Sequence, residues 1–277
     1  IGIITLAPIP IERLSEKGST ISISSQTLPA SINAKIYKLG LSEIKYRNSI
    51  LGILWSIIEP LLLLGVLFFV FSTMFKIVIP NFPIYLLTGI ITWNFFKNGT
   101  SLALNSLSNR SPILTQIYFP RSFPAISSTI TASILLITEL VVLGIFMVIL
   151  GFIPPNTIIL LIPIFLLGFL LILGISLPLS VLNVKYKDAE FIWTVVLSAG
   201  FFLTPIFYRF DMLPEHVQSI LQFSPMVQLV TMTQHVVLYG TLPSTNSILY
   251  AIGTTSVILI IGYLIFRKLQ LRIVEEM

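Results

Sequence analysis

Apolar residues fill six long runs of the chain, and shorter polar or proline-containing segments separate these runs. A helix needs about 20 apolar residues to cross a hydrocarbon core roughly 30 Å thick. Each run reaches or approaches that length, which predicts an all-α integral membrane protein. The six predicted spans cover residues 51–72, 84–106, 124–151, 157–181, 191–208 and 247–266.

Helical periodicity also marks the segment before the first span. Between residues 33 and 49, apolar side chains recur on one arc at about 100° per residue, and lysines occupy the other arc. This pattern predicts an N-terminal amphipathic helix at the membrane interface. The helix either rests on anionic lipid or docks a cytoplasmic partner, and the periodicity leaves both interpretations open. Its basic residues are Lys35, Lys38, Lys45 and Arg47.

Two prolines and an isolated apolar patch interrupt the connection between the second and third spans, residues 107–123, and a third proline, Pro124, follows it. Proline begins and ends helices, so Pro112 and Pro120 predict a short helix between them. This helix either docks a partner or folds back into the membrane interface. The apolar residues that it presents are Ile113, Leu114, Ile117 and Tyr118, and Arg121 follows it.

The segment between the fifth and sixth spans, residues 209–246, has helical apolar spacing in two pieces that Ser224 and Pro225 separate. Each piece is too short to cross the membrane. Two half-helices that dip into the outer leaflet and return would fit, provided that their unpaired backbone groups face protein or water. We therefore predict a re-entrant outer helical hairpin. The competing interpretation is a seventh span at residues 225–240.

Composition and charge agree with a membrane protein and indicate its orientation. Hydrophobic residues make up 55% of the 277 residues, charged residues make up 10%, and the mean hydropathy is +0.98. With the N-terminus in the cytoplasm, 13 of the 16 lysines and arginines fall on the cytoplasmic side, as the positive-inside rule requires. A seventh span would place the basic C-terminal end outside, so the charge rule disfavours it. The net charge of +5 is thus a topology signal and predicts no nucleic-acid partner.

Both termini are therefore expected in the cytoplasm. The predicted organisation is a cytoplasmic segment at residues 1–32, the amphipathic helix at 33–49, a six-span domain at 50–268 and a cytoplasmic tail at 269–277.

The sequence favours a transport subunit over an enzyme. The chain has no cysteine, which excludes thiolate metal sites, disulfides and cysteine nucleophiles. His216 and His235 stand 19 residues apart, which is not a spacing typical of metal ligands, so no metal site is predicted. The phosphate-binding pattern G-x-x-x-x-G-K-[ST] does not occur, and ATP-driven work therefore needs a partner that hydrolyses the nucleotide.

Three ionisable residues, Glu59, Lys97 and Glu139, fall inside predicted spans, where charges are costly and often functional. At a rise of 1.5 Å per residue, Glu59 and Lys97 both lie roughly 12–13 Å from the cytoplasmic end of their spans. The two side chains are therefore able to pair. A structural ion pair, a lysine that extends toward the interface and a role in moving a charged group all remain open.

Aromatic residues make up 12% of the chain and concentrate in the spans. Ring faces bind the CH-rich faces of sugars without fixed charge, so rings along a translocation path suit a glycan. Core packing and interfacial anchoring are the alternatives for each ring. The candidates for a substrate channel are Trp55, Phe68, Phe69, Trp93, Phe95, Phe96, Phe201, Phe202, Phe207 and Tyr208.

Six ordered motifs give the chain a family resemblance. They are KYRNSILGILWSIIEPLL, FPIYLLTGIITWNFF, IYFPRSFP, NVKYKDAEFIW, FFLTPIFY and the LP...SP...LYG loop. Over residues 33–272 the chain resembles the permeases of type-2 ABC exporters, specifically the branch that exports polysaccharide, O-antigen and teichoic acid.

This resemblance implies a six-span permease that forms a homodimer in the cytoplasmic (inner) membrane and works with two cytoplasmic ATPase subunits. ATP and Mg would be bound by those subunits, and no cofactor by this chain. In such permeases the segments at 35–47 and 109–121 engage the ATPase, and the hairpin at 213–239 forms the outer gate. The gate candidates are Pro214, Ser224, Pro225 and Gln234.

The chain departs from the family pattern at three positions. Ser224 stands where the family often has asparagine, Gln234 where it often has arginine, and Lys187 where arginine usually precedes the aspartate. A lysine cannot form the bidentate pair that a guanidinium forms with a carboxylate.

The function that follows from the resemblance is export of a lipid-linked polysaccharide, with membrane lipid around the dimer. Export of a small amphipathic drug or lipid is the alternative within the same superfamily. An ATP-independent channel or secondary transporter is the alternative from another class.

Overall fold

The computed structural model describes residues 55–74, 79–107, 120, 122–186 and 188–270. Within these ranges every regular element is a helix, and no strand occurs, which confirms the predicted all-α class for this part of the chain. The predicted amphipathic helix at 33–49, the apolar residues of the predicted helix at 112–120, Arg121 and Lys187 lie outside the described residues. So do residues 1–32 and 271–277.

We number the described helices along the chain. They are α1 (Trp55–Phe69), α2 (Phe82–Leu104), α3 (Phe123–Ile149), α4 (Leu161–Lys185), α5 (Ala189–Leu203), α6 (Glu215–Leu221), α7 (Pro225–Gln234) and α8 (Thr245–Leu269). Short turns extend three of them: a π turn at Val70–Met74 after α1, a 3-10 turn at Asn156–Leu160 before α4 and a π turn at His235–Tyr239 after α7. Each predicted apolar run coincides with one of α1–α5 or α8, and two short helices flank Ser224 and Pro225 as predicted.

Local sequence explains where several helices begin and end. Pro83, Pro124 and Pro225 lie in the first turns of α2, α3 and α7, where a missing N–H costs no helical hydrogen bond. The hydroxyl of Ser244 caps α8 by accepting the N–H of the residue three positions on at 3.1 Å. Gly240 ends the π turn after α7 with a φ of 62°, which only glycine adopts without strain.

Three of these helices are long and apolar enough to cross a membrane by length and composition. They are Phe123–Ile149, Asn156–Lys185 and Thr245–Leu269. Two shorter apolar helices, Ile57–Thr73 and Ala189–Leu203, accompany them in the described part of the chain. A chain with this set of apolar helices is a multi-pass membrane protein.

Helix α2 forms the centre of the bundle. It packs against α1, α3, α4, α5 and α7, and 19 of its 23 residues are buried. Three of its hydroxyls are satisfied within the helix: those of Thr88, Thr92 and Thr100 donate to the carbonyl oxygens four residues earlier at 2.8–2.9 Å. Burial on all sides removes these threonines from water, and the hydrogen bonds within the helix replace that water.

The helices alternate in direction, so the bundle has two ends. We call the end that carries α6 and α7 the hairpin end; α2, α4 and α8 begin there, and α3 and α5 finish there. At the opposite end, the hydroxyl of Ser128 near the start of α3 lies 3.3 Å from the carbonyl oxygen of Leu102 near the end of α2.

Two glycines allow α4 and α8 to cross in backbone contact. A Cβ atom added to Gly262 would lie 1.8 Å from the carbonyl oxygen of Gly174, and a Cβ on Gly174 would lie 2.8 Å from Cα of Leu259. Membrane helices associate through such small residues because lipid provides no hydrophobic drive between helices. The absence of side chains at these two positions therefore sets the distance between α4 and α8.

Replacing Gly262 with alanine is expected to lower the free energy of unfolding by about 1–3 kcal/mol, because the added methyl group forces the two backbones apart. Gly253→Ala on the same helix is the matched control, since a Cβ there meets nothing within 4 Å. Thermal melting of both variants in detergent measures the difference. Equal melting temperatures for the two variants would contradict the close crossing.

Candidate functional site

A buried break in the helical backbone lies at the end of α5. The helix stops at Leu203, and Thr204–Phe207 continue as buried, non-helical chain. Buried backbone carbonyls need hydrogen-bond partners, above all in a membrane protein. The hydroxyl of Tyr85 donates to the carbonyl oxygen of Tyr208 at 2.7 Å and lies 3.3 Å from that of Pro205. The amide of Gln234 donates to the same Pro205 oxygen at 3.1 Å.

We call Tyr85 and Gln234 the clasp, since together they hold the backbone of this break. The clasp joins three parts of the chain: Tyr85 is on α2, Gln234 ends α7 and the break follows α5. Gly89 makes the approach possible, because a Cβ there would lie 3.0 Å from Nε2 of Gln234 and 3.2 Å from Cα of Ile206. The hydroxyls of Thr92 and Thr233, 3.1 Å apart, add a second contact between α2 and α7.

Side chains also satisfy the backbone of the α6–α7 hairpin. The amide of Gln218 donates to the carbonyl oxygen of Leu213, and that of Gln228 donates to the carbonyl oxygen of Gln222, both at 2.7 Å. Thr157, before α4, donates to the carbonyl oxygen of Val236 at 2.8 Å. Helix α7 packs against α2, α4 and α8, and most of its residues are buried. Helix α7 therefore belongs to the core of the bundle, whereas no residue of α6 is buried.

The four predicted gate residues occupy different places in this hairpin. Pro214 precedes α6, and Ser224 and Pro225 form the turn into α7. Gln234 is 1% exposed and belongs to the clasp. Three of the four residues thus shape the ends of helices, and one holds the break.

A row of aromatic rings follows the seam between α2 and α5. We call it the ring ladder; successive ring centroids are 5.6–6.3 Å apart from Trp193 through Phe96, Trp93 and Phe201 to Phe207. At the hairpin end, three further rings surround Phe207 at 4.7–6.1 Å, namely Phe71, Phe202 and Tyr208. The ladder thus extends from near the start of α5 to the segment beyond its end. Aromatic pairs at such distances stabilise one another beyond their burial.

One hydrogen bond and one close approach at a glycine hold the ladder in place. The indole N–H of Trp193 donates to the hydroxyl of Thr100 at 3.1 Å. Gly200 leaves room for the indole of Trp93, since a Cβ there would lie 2.8 Å from the ring. The order of the rings is therefore built into both helices.

Six of the ten predicted channel aromatics belong to the ladder: Trp93, Phe96, Phe201, Phe202, Phe207 and Tyr208. Phe95 lies on another face of α2, where its ring meets Phe165 of α4 edge to face at 5.9 Å. Phe68 meets Phe82 at 6.2 Å, and Trp55 and Phe69 are exposed. The structure therefore separates the candidates into six rings of the ladder and four rings outside it.

Trp193 and Phe71 belong to the ladder without being among the ten candidates. A sequence signal for Trp193 exists, because it precedes Phe201 by eight residues and so lies on the same face of α5. Phe71 has no such signal, since its contact with Phe207 depends on the break after α5.

The charged pair predicted from depth is present: Nζ of Lys97 lies 2.6 Å from Oε1 of Glu59. The two side chains are 31% and 42% exposed in the single chain, so the pair lies at a surface between α1 and α2. Glu139 on α3 is 2% exposed and lies elsewhere. In the described ranges, no group of three or more His, Cys, Asp or Glu side chains is arranged to hold a metal ion.

A polar network that the sequence analysis did not identify joins three helices at the opposite end. The amide of Asn183 on α4 donates to the carbonyl oxygen of Leu104 at 3.2 Å and to the side-chain oxygen of Asn105 at 2.9 Å. The amide of Asn105 in turn donates to Oε1 of Glu190 on α5 at 3.1 Å. This network holds the ends of α2 and α4 to the start of α5.

Comparison with known proteins adds a family and several relatives. Residues 42–238 match the family described as ABC-2 type transporter. An O-antigen export system permease protein RfbA of Klebsiella pneumoniae is 30% identical over 235 residues, which cover 84% of this chain and 90% of that protein. The protein of the same name from Myxococcus xanthus is 27% identical over 218 residues, covering 78% of this chain and 84% of its own length. Polysialic acid transport protein KpsM of Escherichia coli is 22% identical over 222 residues, with coverages of 78% and 85%.

Tyr85→Phe is expected to destabilise the protein by about 1–3 kcal/mol, because the carbonyl oxygen of Tyr208 loses its donor inside the bundle. Tyr263→Phe is the matched control, since Tyr263 lies on α8 and is 53% exposed. Thermal melting in detergent measures both changes. Equal melting temperatures for the two variants would mean that the Tyr85 hydroxyl does not stabilise the break.

Reversing the charge of Glu59 or Lys97 alone is expected to lower the amount of folded protein, because it sets two like charges side by side within the bundle. The exchanged pair E59K/K97E should restore that amount to within about twofold. The protein is extracted from membranes in detergent, and the fraction that elutes as a single folded peak is measured by size-exclusion chromatography. Failure of the exchanged pair to recover above either single variant would contradict a mutual interaction.

Proposed function

Because the chain belongs to the ABC-2 type transporter family, we propose that it is the permease subunit of an ATP-driven exporter of a lipid-linked polysaccharide. The relatives are named for O-antigen export and for polysialic acid transport, which supports a polysaccharide as the cargo class. The finer assignment, a glycan carried on a lipid, comes from the family resemblance of the six motifs.

The ring ladder is the observation that carries this proposal. Its rings span α5 and the break beyond it, and none of its side chains bears a charge. Aromatic faces stack on sugar faces of many kinds without a fixed charge that would trap the polymer. Phe202 is 65% exposed, and Trp193, Phe201 and Tyr208 are partly buried, so these rings would contact the sugars. Trp93, Phe96 and Phe207 are only 5–8% exposed and would support them from behind. A small amphipathic cargo would instead bind in one enclosed pocket that buries most of its surface, and an extended row of rings does not form such a pocket.

The ladder and its neighbouring helices leave exposed apolar faces for a second copy of the chain. On α1, Leu62, Val66 and Phe69 are 61–64% exposed, and on α5 Phe191, Val195 and Phe202 are 65–74% exposed. A homodimer that joins these faces would enclose a path between two ladders. Of the ten candidate aromatics, only the six in the ladder would then belong to this path. Trp193 and Phe71, which are the other two rings of the ladder, would join them.

In this proposal α1–α5 and α8 are six spans of the cytoplasmic (inner) membrane, and both termini lie in the cytoplasm. The charge distribution supports this orientation, which puts the hairpin end outside. In this arrangement α6 and α7 enter the outer leaflet and return, and their side-chain hydrogen bonds supply the partners that lipid cannot. The hairpin then acts as the outer gate, with Pro214, Ser224 and Pro225 at its turns and Gln234 at its base.

The opposite end then faces two cytoplasmic ATPase subunits that bind ATP and Mg. Lys35, Lys38, Lys45 and Arg47 of the amphipathic segment would contact them, together with Ile113, Leu114, Ile117, Tyr118 and Arg121. The Asn105–Asn183–Glu190 network lies at this end and joins α2, α4 and α5. Movement that the ATPase imposes there would therefore reach both helices that carry the ladder.

Phe201→Ala is expected to lower the export rate by up to about tenfold, because it removes the ring that connects the two halves of the ladder, and a stacking contact is worth about 0.5–1.5 kcal/mol. Phe165→Ala is the matched control, since Phe165 packs on α4 away from the ladder and is likewise partly buried. The readout is polysaccharide on the cell surface, normalised to the amount of permease in the membrane.

Two results would contradict this function. Surface polysaccharide that persists after removal of the chain would exclude it from export. An equal loss in Phe201→Ala and Phe165→Ala would mean that the ladder only packs the core.

A further inference from the structure

A groove opens at the hairpin end between α7 and the start of α8. It consists of two adjoining cavities of about 310 and 410 Å³ that share Phe210, Thr231 and His235 as lining residues. Each volume alone lies within the range of small-molecule sites, about 300–1,000 Å³. Neither the ring ladder nor the proposed coupling to the ATPase uses this groove.

Planar amides and rings dominate the smaller cavity. Gln222, Gln228 and Asn246 line it together with Tyr250. An amide both donates and accepts hydrogen bonds, which matches the neighbouring hydroxyls of a sugar ring. The ring of Tyr250 stands edge to face with Phe223 at 5.4 Å, so its orientation is set by the protein.

The charges in the groove cancel. Asp211 accepts two hydrogen bonds from the guanidinium of Arg209, at 3.0 and 2.5 Å, which neutralises the cation within the wall of the larger cavity. Burial lowers the pKa of His235, and the Arg209 guanidinium adds to that effect, which favours the neutral imidazole. No other charged side chain lines either cavity in the described part of the chain. A phosphate or an acidic sugar therefore finds no net counter-charge here.

The groove adjoins the hairpin end of the ring ladder through the clasp. Tyr85 and Gln234 line the larger cavity, and the hydroxyl of Tyr85 holds the carbonyl oxygen of Tyr208, whose own ring belongs to the ladder. The clasp side chains are only 3% and 1% exposed, so they form a wall that the end of the ladder at Tyr208 and the larger cavity share.

We propose that this groove is a binding site for neutral sugar units, which receives the glycan at the outer face after it leaves the ladder. The site rests on the proposed function for its cargo and for the direction of movement. Its amides and hydroxyls would pair with sugar hydroxyls, and Tyr239, Tyr250 and Phe210 would offer ring surfaces.

Photo-cross-linking in cells tests the groove with the natural glycan. A benzophenone amino acid replaces Asn246, which is exposed and lines the smaller cavity, or Ile153, which is 87% exposed in the connection between α3 and α4 at the same end and lines neither cavity. After illumination, mass spectrometry of the full-length chain identifies the attached material. We expect at least fivefold more adduct at Asn246 than at Ile153, and we expect the adducts to carry neutral sugars.

Three results would overturn the proposal: equal labelling at the two positions, adducts of lipid alone, or adducts whose sugars are acidic. Surface polysaccharide is scored in the same cells, which separates this site from the proposed function. If surface polysaccharide depends on the chain but Asn246 labels no more than Ile153, the groove fails alone. If surface polysaccharide does not depend on the chain, the proposed function fails whatever the labelling.

Discussion

The carbonyl oxygens of buried Pro205 and partly buried Tyr208 lie in non-helical chain where no helix supplies their hydrogen bonds, and this constraint organises the hairpin end of the bundle. In lipid such groups would be costly, because neither water nor a neighbouring turn can satisfy them. Tyr85 and Gln234 supply the donors from α2 and α7. Since Gln234 is the last residue of α7, the position of the whole hairpin is tied to the break in α5.

The same constraint places the rings. Phe207 and Tyr208 belong to the broken segment, and Phe207 is the point at which Phe71, Phe201 and Phe202 meet. A continuous α5 would direct these side chains around the helix at 100° steps and would not collect them at one place. The break therefore brings the last rings of the ladder together and also leaves two carbonyl oxygens without helical hydrogen bonds. The clasp supplies the donors for these oxygens.

Much of this architecture could be predicted from residue order. Hydropathy and proline positions locate α1–α5 and α8 to within a few residues, and Ser224–Pro225 divides the hairpin correctly. The Glu59–Lys97 contact follows from depth along two helices, because both helices are regular where those residues lie. The clasp could not be predicted. By residue type and position, Tyr85 is typical of an interfacial anchor. Its hydrogen bonds go to carbonyl oxygens of the non-helical segment after α5, and the sequence does not show where that helix ends. Phe95 and Phe96 could not be told apart as channel candidates by residue type, but adjacent residues on a helix face directions about 100° apart, and only Phe96 belongs to the ladder.

Transport by purified components is the most direct test of the central claim that this chain moves polysaccharide at the expense of ATP in a partner. The chain and its ATPase would be reconstituted in lipid vesicles with a radiolabelled lipid-linked glycan, and glycan that becomes accessible to an added glycosidase would be measured over time. Accessibility should rise with ATP, and should stay at the level of empty vesicles without ATP or without the permease. Glycan movement that proceeds equally without ATP would contradict the claim.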